Sequence, residues 1–175
     1  MIQANEEQGQ DVTIQAAGEQ YLTFMLGKEE YALPILKVQE IKSWTDVTDV
    51  PCTPDYMLGV LNLRGAIVPI FDLRRRFGLP VREFDSTTAV IIAHAEKEDR
   101  AHVAGFVVDQ VAEVYHFENA NIQKSDDIAA TINADFISGL TRTDEKLVIL
   151  LNLDEILRRS LELVDDMQRE DRACH

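Results

Sequence analysis

Residues 54–73, PDYMLGVLNLRGAIVPIFDL, constrain this chain more than any other stretch. A glycine-punctuated approach leads into an apolar run, which breaks at Arg64 and Gly65 and resumes through Pro69. Two apolar runs on either side of a two-residue break containing glycine read as a β-hairpin. In the second run Ile67, Pro69, Phe71 and Leu73 fall on one face, and Ala66, Val68 and Ile70 on the other. A strand apolar on both faces has to be covered on both, so a second packed unit must lie against this one. Arg64 is the only permanent cation in the run. A planar fork of donors at that place either closes an internal salt bridge or faces something outside.

The remaining chain is organised around short strands. Residues 20–26 alternate, with Leu22, Phe24 and Leu26 opposite Tyr21, Thr23 and Met25, which predicts a strand with one buried face. A turn at residues 27–30 precedes a short returning strand at 31–34, which Pro34 should confine to an edge or a bulge. A brief turn then leads into a strand over 38–44. An extended loop carries Cys52, and residues 56–59 fit a single helical turn before the central hairpin. Residues 72–78 fit one or two helical turns capped by Asp72 and closed by Gly78. Their Arg74, Arg75 and Arg76 are either an anion-binding patch or a solvated basic turn. Residues 79–87, with Pro80, look like the boundary between two halves. Strand patterns resume at 88–95, 101–108, 111–117, 136–143 and 146–153. Asn152 and Glu155 then open a helix in capping-box order, whose stripe of Leu153, Ile156, Leu157, Leu161 and Val164 either docks on the chain's own core or binds a partner. Nine or so short strands in two groups point to barrels rather than a parallel sheet.

Composition removes several classes of function. A formal charge of −14 and a pI near 4.6 oppose binding to nucleic acid or to an anionic membrane surface. Cys52 and Cys174 form no Cys-x-x-Cys motif, and reduced thiols suit a cytosolic protein. The opening residues carry Glu6, Glu7, Asp11 and Glu19 without an apolar run, unlike a signal peptide. The longest apolar runs, at 89–93 and 147–151, are far below the ~20 residues of a spanning helix. Glycine-rich phosphate loops, nucleophile elbows and His-Glu-x-x-His are missing from the sequence. His94 and His102 flank one hairpin and could be cross-strand neighbours, the minimum of a metal site. An enzyme would need these two and Cys52 to converge in the fold. No cofactor is called for.

Three segments resemble the CheW family of bacterial chemotaxis coupling proteins: 21–31 (YLTFMLGKEEY), 35–41 (ILKVQEI) and, through nearly its whole length, 53–74 (TPDYMLGVLNLRGAIVPIFDLR). Residues 105–114, 137–140 and 147–150 agree more loosely, while Ala32 and Pro34 depart from the family pattern. The resemblance implies a mostly β fold, two five-stranded SH3-like β-barrel subdomains around a shared hydrophobic core, with a C-terminal amphipathic helix. With the polar, aperiodic opening residues read as a disordered tail, the expected organisation is a tail at 1–18, the CheW-like domain at 19–168 with a subdomain break at 79–87, and a flexible end at 169–175. The resemblance further implies a non-catalytic adaptor between the histidine kinase CheA and the cytoplasmic tips of methyl-accepting chemoreceptors, located in the cytoplasm and recruited to membrane receptor arrays. Carried over by motif, the receptor-binding residues are Val38, Glu40, Gly59, Asn62, Arg64 and Val114; no kinase-binding residue is assigned. The alternative within the same family is a scaffold for a motility, biofilm or second-messenger array.

Overall fold

The computed structural model describes residues 17–97, 100–124 and 134–173. Among the described residues eleven strands form two sheets. The first contains β1 (Gly18–Leu26), β2 (Glu29–Pro34), β8 (Gln110–Glu118), the two-residue β9 (Gln123–Lys124), β10 (Ile137–Arg142) and β11 (Leu147–Leu151), in the order β8-β1-β2-β11-β10-β9. The second contains β3 (Val38–Ser43), β4 (Met57–Leu63), β5 (Ala66–Asp72), β6 (Ala89–Lys97) and β7 (Arg100–Val108), in the order β3-β6-β7-β5-β4. One parallel pair occurs in each, β2 with β11 and β5 with β7; the other pairings are antiparallel. The helices are α1 (Leu73–Arg76) and α2 (Leu153–Ala173). The mostly β, two-sheet architecture with a C-terminal helix is the one anticipated. The sheets curl without closing as continuous barrels.

The central hairpin explains why there are two sheets. On β5, Val68 and Ile70 join Val90, Ile92 and Val107 in a core belonging to the second sheet. Phe71 and the adjoining Leu73 face the other way, into a larger cluster shared with Phe24 and Leu26 of the first sheet and with Ile156 and Leu157 of α2. Phe24, Phe71 and Phe106 are fully buried there; each such ring stabilises the fold by about 1.5–3 kcal/mol. A smaller cluster of Tyr21, Ala32, Phe117, Val148 and Leu150 fills the first sheet.

The division at 79–87 is not where the chain changes sheet. β6 and β7, which follow that segment, pair with β3 and β5, which precede it. The crossings fall after β2, through a 3-10 turn at Ile35–Lys37, and after β7, at Asp109. The segment links α1 to β6 within one sheet, and its Phe84 packs against Trp44 with ring centroids 4.3 Å apart. Its polar, proline-containing composition resembles a linker because it lies on the surface.

Three local expectations change as well. Pro34 ends an interior strand, lying between β1 and β11 rather than on an edge; as the last residue of β2 it interrupts no ladder. Residues 57–59 are already strand, because a bulge between Met57 and Gly59, with Gly59 at φ +147°, replaces the helical turn. The strand β1 begins at Gly18, inside the stretch read as tail; residues 1–16 lie outside the described residues, as do 174 and 175.

The arginines of α1 form neither of the patches proposed for them. The Asp72 carboxylate caps the helix by accepting from the backbone N–H groups of Arg74 and Arg75. Burial raises the Asp72 pKa, against the lowering effect of those bonds and of the arginines. The Arg74 side chain lies 2.5 Å from Asp109, a carboxylate with only 7% of its side chain exposed. Arg76 stacks over Tyr56 and Phe136, 4.9 and 4.5 Å from the ring centres. Asp109 also accepts from the Gly27 backbone N–H at 2.7 Å and pairs with Arg82 at 3.4 Å. One buried carboxylate thus ties the β1–β2 turn, α1 and the 79–87 segment together where the chain changes sheet.

Candidate functional site

The β4–β5 hairpin has a two-residue turn, with Leu63 opposite Ala66. Arg64 at φ +50° and Gly65 at φ +88° both take positive φ, the signature of the turn whose twist matches paired strands. Arginine at positive φ is strained. Asn62 offsets part of that strain: its Oδ1 accepts from the Gly65 N–H at 2.9 Å.

Arg64 Nη2 donates to Glu40 Oε2 at 3.3 Å, and Lys42 Nζ lies 3.6 Å from Glu40 Oε1. The Arg64 side chain remains 80% exposed, whereas Glu40 is 25% exposed. The alternatives for Arg64 therefore coexist: the carboxylate orients one edge of the guanidinium, and most of its donors face solvent. The pair is exposed and contributes at most about 1 kcal/mol to stability. What it supplies is orientation.

Glu40 stands on β3 and Arg64 in the turn that follows β4, the two edge strands of the second sheet. The curl of the sheet brings them together. Thr48, in the loop between those strands, exchanges two 2.9 Å backbone hydrogen bonds with Val60. Gly59 lies beneath that bridge: a Cβ there would stand 2.3 Å from the Thr48 carbonyl oxygen. Its position is a close backbone approach, buried in the chain itself.

Val38 opens β3, half-buried against the large cluster. Val114 is 49% exposed on β8, in the other sheet, opposite Leu22. Glu40, Asn62 and Arg64 are thus gathered at one hairpin tip, with Gly59 and Val38 farther along the same strands and Val114 across on the first sheet. Sequence reasoning missed two exposed aliphatic residues. Ile67 lies directly opposite Asn62 and is 64% exposed; Leu36, on the 3-10 turn before Val38, is 84% exposed. The available signal for Ile67 was its place next to the turn, where the strand outruns its cover.

The histidine pair dissolves in the register. His94 pairs with Val103 and His102 with Ala95, so neighbouring positions place the two rings on opposite faces of the hairpin. Cys52 is exposed in the loop before β4, at φ +58°. Among the described residues no three His, Cys, Asp or Glu side chains gather as metal ligands, and no helix is long and apolar enough to cross a membrane.

The hairpin tip thus presents an oriented, solvent-facing arginine near the exposed Ile67. The fold is a mostly β module built on two small sheets and a C-terminal helix. A family model described as the CheW-like domain matches residues 20–161. The chemotaxis protein CheW of Klebsiella aerogenes is 36% identical over 156 residues, covering 89% of this chain and 92% of that one. The chemotaxis protein CheW of Helicobacter pylori is 34% identical over 142 residues, 80% and 82% of the two chains. Among solved structures, the crystal structure of the scaffolding protein TtCheW from Thermoanaerobacter tengcongensis superimposes with a TM-score of 0.71 at 32% identity, covering 79% of this chain and 92% of that one. The chain belongs to the CheW family.

Proposed function

We infer that this protein is a non-catalytic chemotaxis adaptor that couples methyl-accepting chemoreceptors to the histidine kinase CheA. The observation that carries this is the extent of the family match: residues 20–161 take in both sheets, and the relatives named chemotaxis protein CheW align over most of their length. Recruitment to membrane receptor arrays in the cytoplasm follows from that role.

For the receptor-facing surface we propose the tip of the β4–β5 hairpin and its flanks. Receptor tips are helical hairpins, and a helix laid on a β surface needs aliphatic contact with a few orienting polar groups. Arg64 supplies charge-assisted donors to a carboxylate or helix-end carbonyl. Glu40 orients it, Asn62 fixes the turn that carries it by accepting from the Gly65 N–H, Val38 and Val114 supply apolar wall, and Gly59 acts indirectly by letting β4 lie against Thr48. The test is binding of the purified protein to a receptor-tip fragment and to CheA, each by calorimetry. Binding to both is expected; binding to neither would overturn the adaptor role. Loss of kinase binding in an Arg64→Ala variant that still bound the receptor tip would overturn the site assignment alone.

A further inference from the structure

A second concave surface lies between α2 and the outer end of the β6–β7 hairpin. It encloses about 410 Å³, and Ala95, Leu157 and Leu161 give it an apolar floor. Carboxylates dominate the rim. Asp154 is engaged by Lys37 at 3.1 Å, and Glu155 and Glu162 by Arg158 at 2.5 and 2.9 Å. Glu96, from the strand side, and Asp165, from the helix side, have no ion-pair partner among the described residues, and both are exposed. An apolar floor between two unspent carboxylates on facing walls asks for an apolar group carrying positive charge on both sides.

Charge eliminates this chain's own candidates. Residues 1–16 carry Glu6, Glu7 and Asp11 and no Lys or Arg; residues 125–133 carry Asp126 and Asp127 and no Lys or Arg. A second copy brings a formal charge of −14. We propose that the cleft docks a cationic amphipathic segment of a protein partner, with an aliphatic side chain on Leu157 and Leu161 and flanking Lys or Arg at Glu96 and Asp165. The surface shares no residue with the Arg64 hairpin, and the proposal stands independently of the receptor-facing assignment.

The probe is a fluorescein-labelled amphipathic peptide with leucines four residues apart, flanked by lysine and arginine, titrated by anisotropy against the full chain. Amide chemical shifts map where it sits. Binding that perturbs the amides of 95–96, 102 and 152–165, and weakens with added salt, is expected. The Glu96→Lys/Asp165→Lys variant should lower affinity roughly tenfold or more. The Glu29→Lys/Asp46→Lys variant, with the same change in net charge at exposed positions elsewhere, should bind as the parent does. Both pairs lie on the surface, and matching circular dichroism confirms that each variant is folded. The proposal is overturned by no binding at low salt, by equal binding of a peptide with glutamates in place of its basic residues, or by equal losses in the two variants. That last outcome would mean attraction to net charge alone.

Discussion

At the residue scale, Arg64 and Gly59 separate two ways in which a residue would serve the proposed contact surface. Arg64 is held by one exposed ion pair and presents its remaining donors outward. Replacing it should therefore cost binding and little else. Arg64→Ala is expected to weaken receptor-tip binding about tenfold or more while changing stability by less than about 1 kcal/mol. Calorimetric titration beside a urea melt checks both halves; a large stability loss would make Arg64 structural. Gly59 is the converse. Both its φ of +147° and the 2.3 Å approach of the Thr48 oxygen to a Cβ oppose any side chain. Gly59→Ala should destabilise by about 2–4 kcal/mol, read as a lower urea midpoint, by prising Thr48 from Val60. Reduced binding in such a variant would follow from altered strand geometry, so Arg64→Ala is the cleaner probe of contact.

At the scale of elements, α2 shows both what was legible in the sequence and what was not. Its start and its stripe were legible: Asn152 Oδ1 accepts from the Glu155 N–H at 3.2 Å, and Leu153, Ile156, Leu157 and Val164 are buried. The return bond of a full capping box gives way to stronger partners, since the Glu155 carboxylate binds Arg158 and Arg159. Those hydrogen bonds hold its pKa down to about 2, from 4.5. A carboxylate depressed by folding contributes stability above its unfolded pKa and loses it as pH falls towards its folded value. Glu155→Gln should therefore lower the thermal midpoint at neutral pH, and its gap from the parent should close between pH 4.5 and about 2. A constant gap across that range would deny the ion pairs their part. Asp72 acts with the opposite sign: burial raises its pKa, so its ionised form costs stability at neutral pH, a cost that fades on acidification. The strands of the central hairpin were legible because apolar alternation and a glycine turn are local signals. The β4 bulge and the opposed faces of His94 and His102 depend on the register within their hairpins, and the interior position of β2 on a partner strand far along the chain; periodicity encodes neither.

At the scale of the molecule, both groups of strands were visible in sequence, but their membership was not. β1 and β2 pair with strands from the far end of the chain, so the first sheet cannot form until the chain has passed through the second. A boundary read from composition at 79–87 had no access to those long-range pairings. The consequence is mechanical unity: the large core draws on both sheets and α2, and the chain crosses between sheets beside the buried Asp109–Arg74 pair. Removing one member of such a pair leaves the other charge buried and alone, so Asp109→Ala should cost about 3 kcal/mol. The loss should be global. Trp44, the sole tryptophan, stands at the end of β3 and reports on the second sheet, whereas far-UV circular dichroism reports on all strands and α2. In the parent and in Asp109→Ala the two signals should trace one urea transition, shifted to lower denaturant in the variant without a change in coincidence. Were the fluorescence and dichroism midpoints to separate in the variant, the sheets would be independently stable bodies joined by a hinge. An adaptor of that kind would transmit a change at the Arg64 hairpin only weakly to surfaces on the first sheet. Coincidence instead gives a body in which contacts made on either sheet are held in fixed geometry.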